Sequence, residues 1–155
     1  MDSVNQRLAS LGIAIPEAPA PVAAYQPVRV VGHLAFVSGQ IPIQNGQVQA
    51  VGQVGREVTP EEGVQAARLC GINALAALKA AIGDLDRITG IVRVGVFVAC
   101  QDDFTSHPSI ADGASNLFQE VFGEAGKHAR AAVGVPSLPL GAAVEVEVVA
   151  SIAEA

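Results

Sequence analysis

Residues 128–152 read HARAAVGVPSLPLGAAVEVEVVASI: two β-rich runs, 128–135 and 143–152, about the connection Pro136-Ser137-Leu138-Pro139-Leu140-Gly141. In the second run Val144, Val146 and Val148 alternate with Glu145 and Glu147, the pattern of a strand that buries one face and leaves carboxylates on the other. The first run sets Arg130, Ala132 and Gly134 on one side and Ala131, Val133 and Val135 on the other. If Val133 shares the covered side with Val146, Arg130 and Glu145 fall together on the uncovered side.

What covers the valines is found upstream. Thr59-Pro60-Glu61-Glu62 combines a capping threonine, a proline at the first helical position and a glutamate that closes a capping box. Val64, Ala67, Gly71, Leu75, Leu78 and Ile82 then recur at helical spacing up to Gly83. A second helix is predicted over about 109–122, with Ile110, Ala114, Leu117 and Val121 inward and Gly123 as its stop. Between them Ile91–Ala99 reads as a central strand, with Val92, Val94, Val96 and Val98 on one face and Arg93, Gly95 and Phe97 on the other. Val28–Val31 and Leu34–Ser38, separated by Gly32-His33, suit a hairpin closed by a type II′ turn. In the weakly patterned stretch 41–56, Gln47–Val51 is read as a short edge strand. The order β-β-(β)-α-β-α-β-β places two long helices on one face of a mostly antiparallel or mixed sheet, an α+β sandwich.

The 155 residues suffice for one domain. Ser3 and Gln6 make a capping box for a helix over 3–11, and the Pro/Ala-rich stretch after it reads as an extended arm, so residues 1–19 are an appendage to a single domain, 20–155. Only 15% of residues are charged, although half are hydrophobic and the mean hydropathy is +0.41. A sheet face so poor in charge is most simply closed against other copies of the chain, which predicts a homo-oligomer. The net charge of −6 and the pI near 4.9 make nucleic acid an unfavoured partner. No stretch reaches the roughly 20 apolar residues of a membrane span, and the first residues lack the basic and apolar regions of a signal peptide, which points to the cytoplasm. Cys70 and Cys100 sit in apolar runs, where reduced, buried thiols are expected.

For chemistry the sequence excludes more than it offers. His33, His107 and His128 have no metal-ligand spacing, no glycine loop suits a phosphate, and Ser38-Gly39 lacks the surroundings of a nucleophilic serine. What remains is Arg130 with Glu145 and Glu147. The arginine is either one half of an interfacial ion pair or a guanidinium fork for a ligand carboxylate; the glutamates are either a solvated face or hold a partly buried carboxylate able to position water.

Ser38-Gly39-Gln40-Ile41-Pro42, His128-Ala129-Arg130-Ala131-Ala132-Val133, Leu138-Pro139 and Val144-Glu145-Val146-Glu147 resemble, in order and spacing, the motifs of the RidA (YjgF) family of enamine/imine deaminases. Tyr25, thirteen residues before Ser38, and Glu145, fifteen after Arg130, fit the same pattern, and the resemblance spans about residues 20–152. It implies a chorismate-mutase-like α+β fold assembled as a trimer, sheets inside, with clefts between subunits. In such a cleft Arg130 would clamp a small-molecule carboxylate substrate, the backbone around Ser38 and Gly39 would contact it, Tyr25 would close over it and Glu145 would hold the attacking water. The implied reaction is hydrolysis of 2-enamine and 2-imine acids, such as 2-aminoacrylate, to a 2-keto acid and ammonia, with no cofactor and no metal.

Three positions depart from that pattern. Ala132 stands in the substrate-binding position where the family often has Cys, Ser115 stands for an Asn of the second helix, and Ala24 for the Pro before the tyrosine. They bear on substrate size and rate. A protein that binds or senses a keto or amino acid in the same cleft without turnover is the alternative reading; an endoribonuclease fits the acidic chain less well.

Overall fold

The longer of the two main helices starts where its first turn is capped. Thr59 accepts from the Glu62 amide at 3.1 Å while the Glu62 carboxylate accepts from the Thr59 amide at 2.8 Å, and α2 runs Pro60–Ile82. The reciprocal pair Ser3 and Gln6 starts the short helix α1, Val4–Ser10. The structure is a computed structural model and describes residues 2–20 and 24–155; residues 21–23, in the Pro/Ala-rich stretch that follows the first helix, lie outside the described residues. Helix α1 is docked: Leu8 is buried, and Arg7 Nη1 donates to the Val121 carbonyl at 3.1 Å, near the end of α3, His107–Phe122. A cation there also meets the negative pole of that helix.

Strands β1 (Val28–Val31) and β2 (Leu34–Gln40) pair as the expected hairpin; Gly32 has φ +59° and His33 is not in the positive-φ region, as type II′ requires. The stretch after it differs from expectation. Ile43–Gln44 (β3) and Gln47–Val48 (β4) form their own two-stranded ribbon about Asn45-Gly46, both at positive φ, and take no part in the main sheet. Asn-Gly favours a two-residue type I′ turn, and Asn73 of α2 pins the ribbon through the carbonyls of Ile41 and Ile43.

The main sheet has the order β1-β2-β7-β5-β6, with β5 Ile88–Ala99, β6 Ala129–Val135 and β7 Val144–Ile152. Only β5 and β6, joined through α3, are parallel, so the sheet is mixed. Val94, Val96, Val98, Val144, Val146 and Val148 form the helix-covered face and are buried. Val92 does not join them. The register shifts between Ile91 and Arg93, so Ile91 and Val94 both face the core and Val92 is 43% exposed. A bulge inserts one residue and reverses the alternation on one side of it. Among the described residues no helix is long and apolar enough to cross a membrane.

The larger correction concerns β6. Arg130 is level with Val94 and Ala132 with Val96, so these side chains lie on the helix-covered side, whereas Val133 is level with Phe97 and is 46% exposed on the other face. The assumption that Val133 packs with Val146 is therefore reversed, and Arg130 and Glu145 lie on opposite faces of the sheet. The cause is steric. Where β6 passes the start of α3, a Cβ on Gly134 would meet His107 Nε2 at 2.6 Å and Cys100 Sγ at 2.8 Å. Only small residues fit the helix side there, and the valine is left to the open side.

Candidate functional site

Two clusters result, one on each face. On the helix side, Arg130 Nη1 donates to Asp112 Oδ1 at 2.8 Å and to Ser115 Oγ at 3.0 Å, both from α3. The Arg130 side chain retains 24% of its surface, and Asp112 is more than half exposed. Ala132 lies beside it, partly buried against the core. His128, two residues before Arg130, donates from Nδ1 to the Ala129 carbonyl and meets Phe118 edge-on. Burial, with repulsion by Arg130, holds its pKa below the ordinary histidine value, so it adds no second positive charge at neutral pH.

The open face carries the rest. The register between β2 and β7 shifts between Val37 and Gln40, an irregularity that contains Ser38 and Gly39. It brings Gly39 against the Glu145 carboxylate so closely that a Cβ would collide with it. The Ser38 hydroxyl donates to the Gln26 carbonyl at 2.7 Å, which ties the approach to β1 onto the bulge. Glu145 is level with Phe97, and Glu147 is paired with Arg93 at 3.4 Å. Burial raises the Glu145 pKa from the usual carboxylate value, and the charge of Glu147 raises it further. Tyr25 is 61% exposed.

Within one chain, then, the structure brings Ser38, Gly39 and Glu145 together, and sets Arg130 and Ala132 apart from them. β6 and β7 flank β5 on its two sides, about 10 Å apart, and Arg130 and Glu145 are offset by three positions of β5, about another 10 Å, before the opposite faces are counted. A hollow of about 440 Å³ lies on the open face, lined by Gln26, Ser38, Arg93 and Glu147 among others. A larger groove of about 770 Å³ between the β3–β4 ribbon and α2 contains no residue of either cluster, so its size carries no functional weight. Sequence reasoning missed Asp112 and Arg93. The signal for Asp112 was present: it precedes Ser115 by three residues, which puts both on one helical face.

Both cysteines are free and buried; Cys70 Sγ lies 3.6 Å from the Val144 carbonyl and Cys100 Sγ 3.4 Å from His107 Nε2. Burial raises both thiol pKa values, so neither is an activated thiolate. Among the described residues no group of three His, Cys, Asp or Glu side chains is placed to hold a metal ion.

Comparison with known proteins bears on the family and the fold. Residues 5–152 match the family model described as "YjgF/chorismate mutase-like, putative endoribonuclease". Protein TCP17 of Trypanosoma cruzi is 44% identical over 145 residues, 93% of this chain and 91% of that protein. The 2-iminobutanoate/2-iminopropanoate deaminase of Rattus norvegicus is 32% identical over 138 residues, 89% of this chain and 87% of that protein. The crystal structure of a protein of unknown function from Agrobacterium tumefaciens superimposes with a TM-score of 0.91 at 42% identity, over 97% of this chain and 92% of that one. The resemblance read from the motifs and the chorismate-mutase-like fold it implied both hold: the chain belongs to the YjgF/RidA, chorismate-mutase-like family.

Proposed function

We propose that the protein hydrolyses reactive 2-imino acids, and their enamine tautomers, to 2-keto acids and ammonia in a cleft between two copies of the chain. The observation that carries this reading is the division of the two clusters: a guanidinium with one nitrogen held and its other edge free on one face, and a partly buried carboxylate of raised pKa on the other. Neither is a complete site. A trimer that closes the open face would bring Arg130 of one copy to Ser38, Gly39 and Glu145 of the next, and would bury Phe36, Val92 and Val133, each more than 40% exposed in the single chain. The name of the rat relative supports the same reaction class.

The chemistry asks little of the protein. Arg130 fixes the substrate carboxylate at two points, which orients the adjacent C=N carbon. Glu145 accepts a proton as water adds to that carbon. Returned to nitrogen, the proton makes ammonia the leaving group as the tetrahedral adduct collapses to the C=O product. The balance is imino acid plus water to keto acid plus ammonia, and no step draws on a cofactor. Tyr25, near the open edge, would narrow the entrance. We place the reaction in the cytoplasm, where Cys70 and Cys100 remain thiols and imino acids are released by pyridoxal-phosphate enzymes.

The test is ammonia release from freshly generated 2-aminoacrylate, read with sedimentation at micromolar concentration. Acceleration by a three-chain species is expected. Keto-acid binding without ammonia release would favour a sensor, and a fully active monomer would refute the shared cleft. The pH profile adds a sign. With Glu145 acting as carboxylate, kcat should rise with pH through an apparent pKa above the ordinary carboxylate value. Glu147→Gln, by removing the repelling charge, should move that limb to lower pH, while Glu145→Gln should lower kcat more than it weakens keto-acid binding. Because the folded-state pKa is raised, this group's contribution to stability is complete below the ordinary carboxylate value and is lost as pH rises through the folded one.

A further inference from the structure

We propose that Asp112 is a positioning residue that sets the ligand selectivity of Arg130, favouring a zwitterionic imino acid over the anionic keto acid formed from it. The inference rests on the reading of Arg130 as the carboxylate clamp and goes beyond it.

Asp112 and Ser115 both accept from the same nitrogen, Nη1, and so occupy both of its hydrogens. A guanidinium carries five N–H donors. The three on Nε and Nη2 remain, and they form the edge that grips a carboxylate side-on. Of the two acceptors, Ser115 is held in the core, while Asp112 reaches Nη1 from a more exposed position. Ser115 is the one buried polar residue among the described residues, on a helical face otherwise made of Ile110, Ala111, Ala114, Leu117 and Phe118. A hydroxyl there is costly unless it is bonded, and Arg130 bonds it. Asp112 adjoins Gly113, where α3 lies directly on the backbone of α2 at Val64.

Asp112 also supplies a charge. It already balances Arg130, so a ligand carboxylate on the opposite edge brings two anions to one cation. A keto acid leaves that excess uncompensated. An imino acid protonated on nitrogen carries its own positive charge beside the carboxylate and restores the balance. Asp112 thereby weakens the hold on product relative to substrate, and product leaves more readily.

Asp112→Asn separates charge from position, because the amide oxygen can still accept from Nη1. In the assembled protein this variant should bind 2-oxobutanoate about fivefold more tightly, read as competitive inhibition and by calorimetry, with KM for the imino acid changed less than about twofold. Asp112→Ala removes both contributions and should raise KM about tenfold, with a smaller effect on kcat. An unchanged ratio of keto-acid to imino-acid affinity in Asp112→Asn, with Arg130→Ala inactive, overturns the role of Asp112 and leaves the clamp standing. Full turnover and unchanged keto-acid binding in Arg130→Ala overturn the clamp itself.

Discussion

Arg130→Ala is expected to lower kcat/KM for a short 2-imino acid by roughly 100-fold or more, because water cannot reproduce two parallel N–H donors on the substrate carboxylate. Arg130→Lys should recover little, since an ammonium lacks the fork. The fold should survive, less about 1 kcal/mol for the Ser115 hydroxyl left without that bond: Arg130 lies on an edge strand with a quarter of its side-chain surface exposed, and the core valines level with it on β5 and β7 do not depend on it. The more discriminating form of the experiment mixes two inactive chains. If Arg130 of one copy acts with Glu145 of the next, any trimer containing both Arg130→Ala and Glu145→Gln chains has one cleft of three intact. Random assembly from equal amounts should then restore about a quarter of wild-type turnover. A site confined to one chain gives no recovery, and that outcome would refute the division of the site between faces.

A large loss of stability is expected from a side chain at Gly113. A Cβ there would run into the Val64 carbonyl oxygen and lie 3.0 Å from its carbon and 3.2 Å from Ala67 Cβ. None of these is the end of a movable side chain, so Gly113→Ala must push α2 and α3 apart. We expect a loss of about 3 kcal/mol or more, seen as a fall in the denaturant midpoint. Gly71→Ala, on the same seam, meets Leu117 Cδ2 at 2.8 Å, a side-chain tip that can turn away, and should cost only about 1 kcal/mol. Equal effects at the two glycines would show that the seam is less tight than its geometry.

What could be read in the sequence was local. The capping boxes at Ser3 and Thr59, the hairpin about Gly32 and the alternation of Val144 to Val148 are each decided within a few residues, and each is present. Asn45-Gly46 is an equally local signal, and its turn makes Gln47–Val48 half of a separate ribbon rather than part of an edge strand over Gln47–Val51. The other differences depend on contacts distant in sequence. Val92 faces outward because of a register shift against β7. The phase of β6 depends on a parallel register and on His107 and Cys100 occupying the space beside Gly134. The rule that a larger apolar residue faces the core fails on an edge strand whose other face also awaits a cover. That failure moved Arg130 to the wrong side and hid its neighbour Asp112.

The place of β7 in the sheet has a consequence for biosynthesis. β2 and β5 never touch as neighbours; β7 lies between them and pairs with both, yet it is made after either. While the ribosome is still adding residues 144–152, the β1–β2 hairpin and the β5–α3–β6 unit have no strand to join them, and the edges of β2 and β5 that will pair with β7 remain open. The sheet therefore closes after β7 leaves the exit tunnel rather than growing as the chain emerges, and the nascent protein depends until then on whatever shields exposed strand edges in the cell.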